Sequence, residues 1–69
     1  MAKTKTVHPP KPSQILMLRK KHWGTQAALA EEIYVDRSTV SLWETGSLVM
    51  SPRLAKLFLM IVEEKRRAA

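Results

Sequence analysis

Helix breakers at short intervals are the feature that most constrains the fold of this chain. They are prolines and glycines, at Pro9, Pro10, Pro12, Gly24, Gly46 and Pro52. Between them, apolar residues recur at the three- and four-residue spacings of one helical face, and nothing alternates convincingly with a period of two. The sequence therefore predicts an all-α fold, a compact bundle of four (or five) short helices without a sheet.

Caps and apolar spacing predict the first two helices. Ser13 can act as the N-cap of the first helix, and Gly24 ends that segment. Thr25 is the cap expected for the second helix, which breaks at Tyr34. The inner face of the second helix is predicted to comprise Ala27, Leu29, Ala30 and Ile33.

The third helix is expected to begin at Asp36 and to end near Gly46. Asp36 should accept hydrogen bonds from the backbone of the first turn, and Gly46 tolerates the left-handed conformation common after helix ends. A Ser-Pro pair at 51–52 predicts the start of the last helix. The core-facing stripe of that helix is predicted to be Leu54, Leu57, Phe58, Ile61 and Val62.

Size and composition indicate one small domain in a reducing compartment. The chain has 69 residues and no cysteine, which excludes disulfides and thiolate metal sites. Its longest apolar run, 57–62, is far shorter than a membrane span, and the N-terminus does not resemble a secretory signal. We expect a soluble, cytoplasmic protein with no membrane partner.

The charge is unevenly distributed along the chain. The formal net charge is +6, and residues 1–22 contain six lysines and arginines but no acid. Such a cationic surface favours polyanions through counterion release. Residues 1–12, with three prolines, are interpreted as a flexible basic arm, and residues 13–69 as the folded domain.

The residues required for catalysis are lacking. The two histidines are His8, in the arm, and His22, near a helix end. The acidic pairs at 31–32 and 63–64 are adjacent in sequence, so their side chains diverge around a helix instead of converging. No phosphate-binding glycine loop or metal-ligand spacing is present, and we expect neither enzyme activity nor a cofactor or metal.

The run "TQAALAEEIYVDRSTVSLWETG" resembles the Cro/C1-type (Xre-type) helix-turn-helix family. That family shows Thr-Gln, Leu-Ala, a turn, and then Ser/Thr-rich residues that close on Trp-Glu-x-Gly. The resemblance covers roughly residues 13–58 and implies a third helix, 37–45, that reads the DNA major groove. Tyr34 departs from the pattern, because the family usually has a glycine in this turn.

The third helix itself is consistent with DNA reading. Its predicted inner face is Val40 and Trp43, and its outward side chains are short, polar or basic. Arginine can bond guanine bidentately, hydroxyls can bond bases or phosphates, and leucine can meet a thymine methyl. The candidate DNA-binding residues are Gln26, Arg37, Ser38, Thr39, Ser41, Leu42 and Thr45.

Within this set, Arg37 is the first candidate for a base contact. For Gln26, the resemblance implies a hydrogen bond to the phosphate backbone. Two further residues of the third helix are expected to stabilise the fold and not to contact DNA. Trp43 is expected in the core, and the resemblance implies a salt bridge from Glu44 to Arg19.

The sequence thus predicts a sequence-specific regulator of transcription that binds double-stranded DNA and acts as a repressor. Leu59 and Met60 continue the apolar run of the last helix, which favours a homodimer through that helix. Alternatively, the first helix, Trp23 and the arm cover this surface within one chain. An antitoxin-like protein, whose main partner is a toxin or another protein, remains the alternative function. A phage- or plasmid-type repressor fits equally well, and RNA binding is a weaker third choice.

Overall fold

The computed structural model describes residues 9–68 and contains four α-helices in that range. They are α1 (Pro12–His22), α2 (Gln26–Ile33), α3 (Arg37–Thr45) and α4 (Pro52–Ala68). No β-strand is present between residues 9 and 68, so the predicted all-α fold of four helices is confirmed. No helix in this range is both long and apolar enough to cross a membrane. Most of the predicted arm, residues 1–8, lies outside the described residues.

The start of α1 differs from the prediction. The helix begins at Pro12 with Lys11 in the extended cap position, so Ser13 lies within the first turn and does not cap it. Proline suits a first helical position because its φ is already helical and its missing N–H is not needed there. The Lys11 backbone N–H instead donates to Gln14 Oε1 at 3.0 Å, which closes the first turn.

The second helix is capped as predicted. Thr25 Oγ1 accepts a hydrogen bond from the Ala28 backbone N–H at 3.1 Å. Leu29, Ala30 and Ile33 are buried, but the prediction for Ala27 is wrong because this residue is exposed. Ala27 lies in the first turn, about 200° around the helix from Leu29, and so faces solvent.

Tyr34 ends α2 in the left-handed conformation, with φ 60° and ψ 50°. The backbone N–H groups of Tyr34 and Val35 both donate to the carbonyl of Ala30, which is how the turn satisfies the end of the helix. The Tyr34 side chain is 92% exposed and so gains little from packing. A residue with a Cβ is strained here by about 1–2 kcal/mol relative to an ordinary helical conformation.

The third helix begins at the predicted position, but its cap differs. Asp36 has extended backbone angles at the N-cap, yet its carboxylate accepts no hydrogen bond from the helix. The Thr39 N–H is instead directed to the backbone carbonyl of Asp36 at 2.9 Å, in a tight first turn. At the other end, Gly46 is left-handed with φ 83°, as predicted.

The last helix opens at Pro52, and Ser51 Oγ accepts the Leu54 N–H at 3.3 Å. The predicted core stripe is wrong at Leu57, which is 38% exposed. The small Ala55 is fully buried in its place, one turn before Phe58. The spacing of Leu57 from Leu54 and Ile61 predicts an inward position, but Leu57 lies about 100° around the helix from the buried Phe58.

The core lies where α3 packs against α1 and α2, and α4 packs across α1 and α2. Its largest fully buried side chains are Trp43, Phe58, Leu29, Met50 and Val40. Met50, in the connection between α3 and α4, was not predicted because no helical spacing marks it. This burial anchors α3 on its Val40–Trp43 side and leaves the opposite side outward.

Trp23, in the connection between α1 and α2, packs against α4. Its indole stacks on Phe58 with ring centroids 5.5 Å apart and planes inclined by 17°. The Lys65 ammonium lies 5.4 Å from the indole centroid, and Trp23 Nε1 donates to Glu32 Oε1 at 2.6 Å. A salt bridge of 3.5 Å between Glu32 and Lys65 completes the cluster. Trp23 therefore covers Phe58 within the chain, while Leu59 and Met60 remain exposed.

Candidate nucleic-acid interface

The outward side of α3 is polar and basic. Arg37, Ser38 and Leu42 are exposed, Ser41 is half-buried, and all four line one shallow depression. Gln26, at the start of α2, completes the lining. The structure thus brings together five of the seven residues that the sequence singled out for DNA binding.

This depression combines the chemical groups that read base edges. A guanidinium group, two hydroxyls and an amide supply hydrogen-bond donors and acceptors, and Leu42 supplies an apolar contact. Four of these side chains project from α3 and the amide of Gln26 from the start of α2, and all five line one depression, so one groove of a duplex could contact all of them. Their size also matters, since serine side chains let a helix backbone approach closely.

A second open depression adjoins the first and shares Gln26 and Arg37 with it. Gly24, Thr25 and Ala27 add the turn before α2 and the beginning of that helix. A helix N-terminus directs its first backbone N–H groups outward and favours anions. The two depressions therefore form one continuous surface from the start of α2 to α3, which we call the α2–α3 surface.

Glu44 of α3 accepts hydrogen bonds from Arg19 of α1 and from Gln26 of α2, and so joins three helices. Arg19 of α1 donates from Nε to Glu44 Oε2 at 2.8 Å and from Nη2 to Oε1 at 2.9 Å. Arg19 Nη1 also donates to the Gly24 carbonyl at 2.8 Å. The Arg19 and Glu44 side chains are only 10% and 6% exposed. The ion pair that the resemblance implies is thus present, and it is bidentate and nearly buried.

The ion pair shifts the titration of both partners. Hydrogen bonds from Arg19, and then from Gln26, hold the pKa of Glu44 below its ordinary value, although burial opposes the shift. The hydrogen bond to Glu44 raises the pKa of Arg19 in turn, against the effect of burial. Both groups are therefore charged at neutral pH, and Arg19 compensates the negative charge of Glu44 close to the α2–α3 surface.

Gln26 also has a hydrogen-bond partner within the chain that the sequence did not predict. Its Nε2 donates to Glu44 Oε1 at 3.0 Å, which orients the amide. An ionised carboxylate only accepts hydrogen bonds, so the amide nitrogen, not the oxygen, must face it. One N–H and the carbonyl of the amide are left for a ligand. Glu44 therefore positions a side chain of the α2–α3 surface as well as stabilising the fold.

Thr39 and Thr45 are placed differently from the other five candidates. Neither lines the two depressions among the described residues. Thr39 is half-buried near the beginning of α3. Thr45 Oγ1 lies within hydrogen-bond distance of the Leu42 carbonyl, at 3.2 Å, and of Ser47 Oγ, at 3.1 Å. The Thr45 hydroxyl thus has acceptors within its own chain, at the end of α3.

A metal centre finds no support in the described part of the chain. Between residues 9 and 68, no group of three histidine, aspartate or glutamate side chains could hold a metal ion. Trp43, which could have been a stacking platform, is 1% exposed and belongs to the core. The α2–α3 surface, in contrast, combines exposure with several polar groups that line one depression.

Comparison with known families agrees with this geometry. The model of a family described as helix-turn-helix matches residues 15–61, which is well over half of the chain and contains α2 and α3 entirely. No curated protein and no solved structure matches the chain significantly. The matched range includes Arg19, Glu44 and every residue of the α2–α3 surface. The chain therefore belongs to the helix-turn-helix family of DNA-binding domains, of the Cro/C1 type.

Proposed function

We propose that this chain is a sequence-specific regulator of transcription that inserts α3 into the major groove of double-stranded DNA. The observation that carries the proposal is the single depression lined by Gln26, Arg37, Ser38, Ser41 and Leu42. In this arrangement Arg37 bonds a guanine edge, the two serines bond bases or phosphates, and Leu42 meets a thymine methyl.

Gln26 and the start of α2 would hold the backbone of the same duplex. The amide is oriented by Glu44, and the α2 N-terminus favours an anion such as a phosphate. Such contacts fix the register of the protein on DNA without reading the sequence. Base contacts would therefore come from α3 and phosphate contacts from the start of α2, so that the two helices of the helix-turn-helix bind the same duplex.

The proposed active species is a homodimer formed through α4, and the proposed effect is repression. A two-fold dimer would present two copies of α3 to half-sites about one helical turn, or 10 base pairs, apart. Support comes from the exposed Leu57 and Met60 on α4. A dimer seated across a promoter would exclude polymerase, and transcription of a reporter should fall when the bound site overlaps its promoter.

Selection of DNA from a random double-stranded pool tests the proposal. We expect a recovered sequence with two related halves, bound about 10³-fold or more tightly than random DNA at physiological salt. In Arg37→Ala, affinity for that sequence should fall roughly 5- to 150-fold, the effect of one bidentate base contact. Affinity for random DNA should fall far less.

Arg66→Ala is the matched control, because it removes the same charge from an exposed arginine in the last turn of α4. Its discrimination between selected and random DNA should equal that of the wild type. Recovery of no common sequence, with binding that only weakens as salt rises, would reduce the protein to a non-specific cation and contradict the proposal.

A further inference from the structure

The outer side of α4 carries a stripe of four exposed residues with charges at its two ends. They are Arg53, Leu57, Met60 and Glu64, and the exposed fractions of the two central residues are 38% and 55%. The spacings of four, three and four positions keep these side chains on one side of the helix. That side lies roughly opposite the buried Phe58 and Val62, so nothing within the fold requires it to be apolar.

The stripe is symmetric in a way that suits a copy of itself. Arg53 precedes Leu57 by four positions, and Glu64 follows Met60 by four positions. Two α4 helices packed antiparallel about the point between Phe58 and Leu59 would place Leu57 against Met60 of the second copy. The same register places Arg53 against Glu64 of the second copy, and the two-fold axis repeats both pairs.

From this spacing we infer that α4 pairs antiparallel with α4 of a second copy, in the register that joins Arg53 to Glu64. The inference deepens the dimer of the proposed function and rests on it. Within residues 9–68, neither Arg53 nor Glu64 takes part in a salt bridge, so both charges remain available to a partner. The pattern also corresponds to the alternating a and d positions of a coiled-coil seam.

The residues beside the stripe fit the same register. Lys56 lies next to it on one side, and the antiparallel arrangement brings it near Glu63 of the second copy. Leu54 and Ile61, half-buried on the other side, come near each other in the same way. A parallel pair would instead oppose Arg53 to Arg53 and Glu64 to Glu64, which is unfavourable for like charges. The charge pattern therefore selects the antiparallel arrangement.

Sedimentation equilibrium of the whole chain without DNA tests the inference. Over about 10 to 500 µM, the wild type should pass from monomer to dimer, as expected for a small helix-pair interface. Leu57→Glu should abolish the dimer. Leu59→Glu is the matched control: Leu59 is also 38% exposed but lies about 200° around the helix from Leu57, so this variant should retain the dimer.

Charge reversal tests the register. Glu64→Arg should raise the dimer dissociation constant about tenfold or more, because each arginine then faces another arginine. The double variant R53E/E64R exchanges the charges and should return the constant to within about fivefold of the wild type. Glu31→Arg, an exposed reversal on α2, provides the control for net charge. Circular dichroism would verify that each variant is folded.

Three results would overturn the inference. They are a wild type that stays monomeric at 500 µM, equal effects of Leu57→Glu and Leu59→Glu, and a double variant no better than Glu64→Arg. Because DNA is absent, these outcomes are independent of base reading. A dimer without DNA selectivity would contradict base reading by α3 alone, whereas selective binding by a monomer would contradict the proposed dimer and its α4 pairing and leave base reading by α3 intact.

Discussion

Arg19 and Glu44, separated by 25 positions in the sequence, form a bidentate ion pair with distances of 2.8 and 2.9 Å. The same carboxylate accepts from Gln26 at 3.0 Å, and the same guanidinium donates to the Gly24 carbonyl. One pair of side chains thus links α1, the turn before α2, the start of α2 and the end of α3. The geometry of the α2–α3 surface depends on this network.

Removal of either charge should destabilise the protein strongly. We expect Glu44→Ala to lower the free energy of unfolding by about 3–5 kcal/mol, because Arg19 is left nearly buried without its partner. The double variant R19M/E44L should be more stable than Glu44→Ala, since neither charge is then buried alone. Urea unfolding followed by circular dichroism measures both. A Glu44→Ala protein with an unchanged midpoint would contradict this role.

Stability should fall in acid because of Glu44. Its pKa is lower in the folded protein than in the unfolded chain, so the ionised carboxylate stabilises the fold above the ordinary glutamate pKa near 4.5. This stabilisation is lost progressively as the pH falls below that value toward the folded-state pKa. Arg19 stays charged throughout. Urea midpoints measured from pH 7 to pH 2.5 should decline more steeply in the wild type than in Glu44→Gln, and equal slopes would contradict the assignment.

Gln26→Ala should separate phosphate binding from base reading. The variant should bind selected and random DNA more weakly by a similar factor, because a phosphate contact carries no sequence information. Its free energy of unfolding should also fall, by about 1–2 kcal/mol, since Glu44 loses a hydrogen bond. Affinities for both DNAs at one salt concentration test this. A loss confined to the selected sequence would indicate that Gln26 contacts a base.

Glycine at position 34 should stabilise the fold. Tyr34 is left-handed and its ring is almost fully exposed, so Tyr34→Gly relieves backbone strain without loss of packing. The greater freedom of glycine in the unfolded chain offsets part of the gain, which leaves about 0.5–1 kcal/mol. Thermal unfolding should show a higher midpoint for Tyr34→Gly. Tyr34→Ala, which keeps the Cβ, should show no such gain, and an equal gain would implicate the ring.

Truncation of Trp23 should loosen α4. We expect Trp23→Ala to cost about 2–3 kcal/mol, below the range for a fully buried tryptophan, because this side chain is half-buried. Trp23→Phe keeps an aromatic ring against Phe58 and loses the hydrogen bond to Glu32, so its cost should be about 1 kcal/mol. Hydrogen exchange should show faster opening of α4 in Trp23→Ala than in the wild type. Equal protection of α4 in the two proteins would contradict this role.

Local sequence signals predicted most of the fold. The caps Thr25 and Ser51, the left-handed Gly46 and the apolar spacing of Val40 and Trp43 each act within a few residues, and each is found in the structure. The error at Leu57 arose because residues outside the segment determine which side of α4 is buried. Leu57 has the apolar character of a core residue, but the approach of the other helices leaves the inward position to Ala55.

The part of the α2–α3 surface that lies on α3 was predictable from the sequence, and the contact that joins it to α2 was not. Arg37, Ser38, Ser41 and Leu42 share one face of one helix, so their proximity follows from helical spacing alone. The hydrogen bond from Gln26 to Glu44 does not, because it joins the beginning of α2 to the end of α3 across 18 positions. No local pattern encodes that distance, which depends on the crossing of the two helices.

The two sides of α3 depend on different residues. Val40 and Trp43 hold the helix in the core, and Glu44 ties it to α1, whereas Arg37, Ser38 and Leu42 have exposed side chains. Substitution at those outer positions should therefore change little in stability, which is the usual outcome at exposed sites. A few outer side chains of α3 could be exchanged to change the DNA sequence that the protein recognises. Variants that recognise different operators could then all retain the same folded framework.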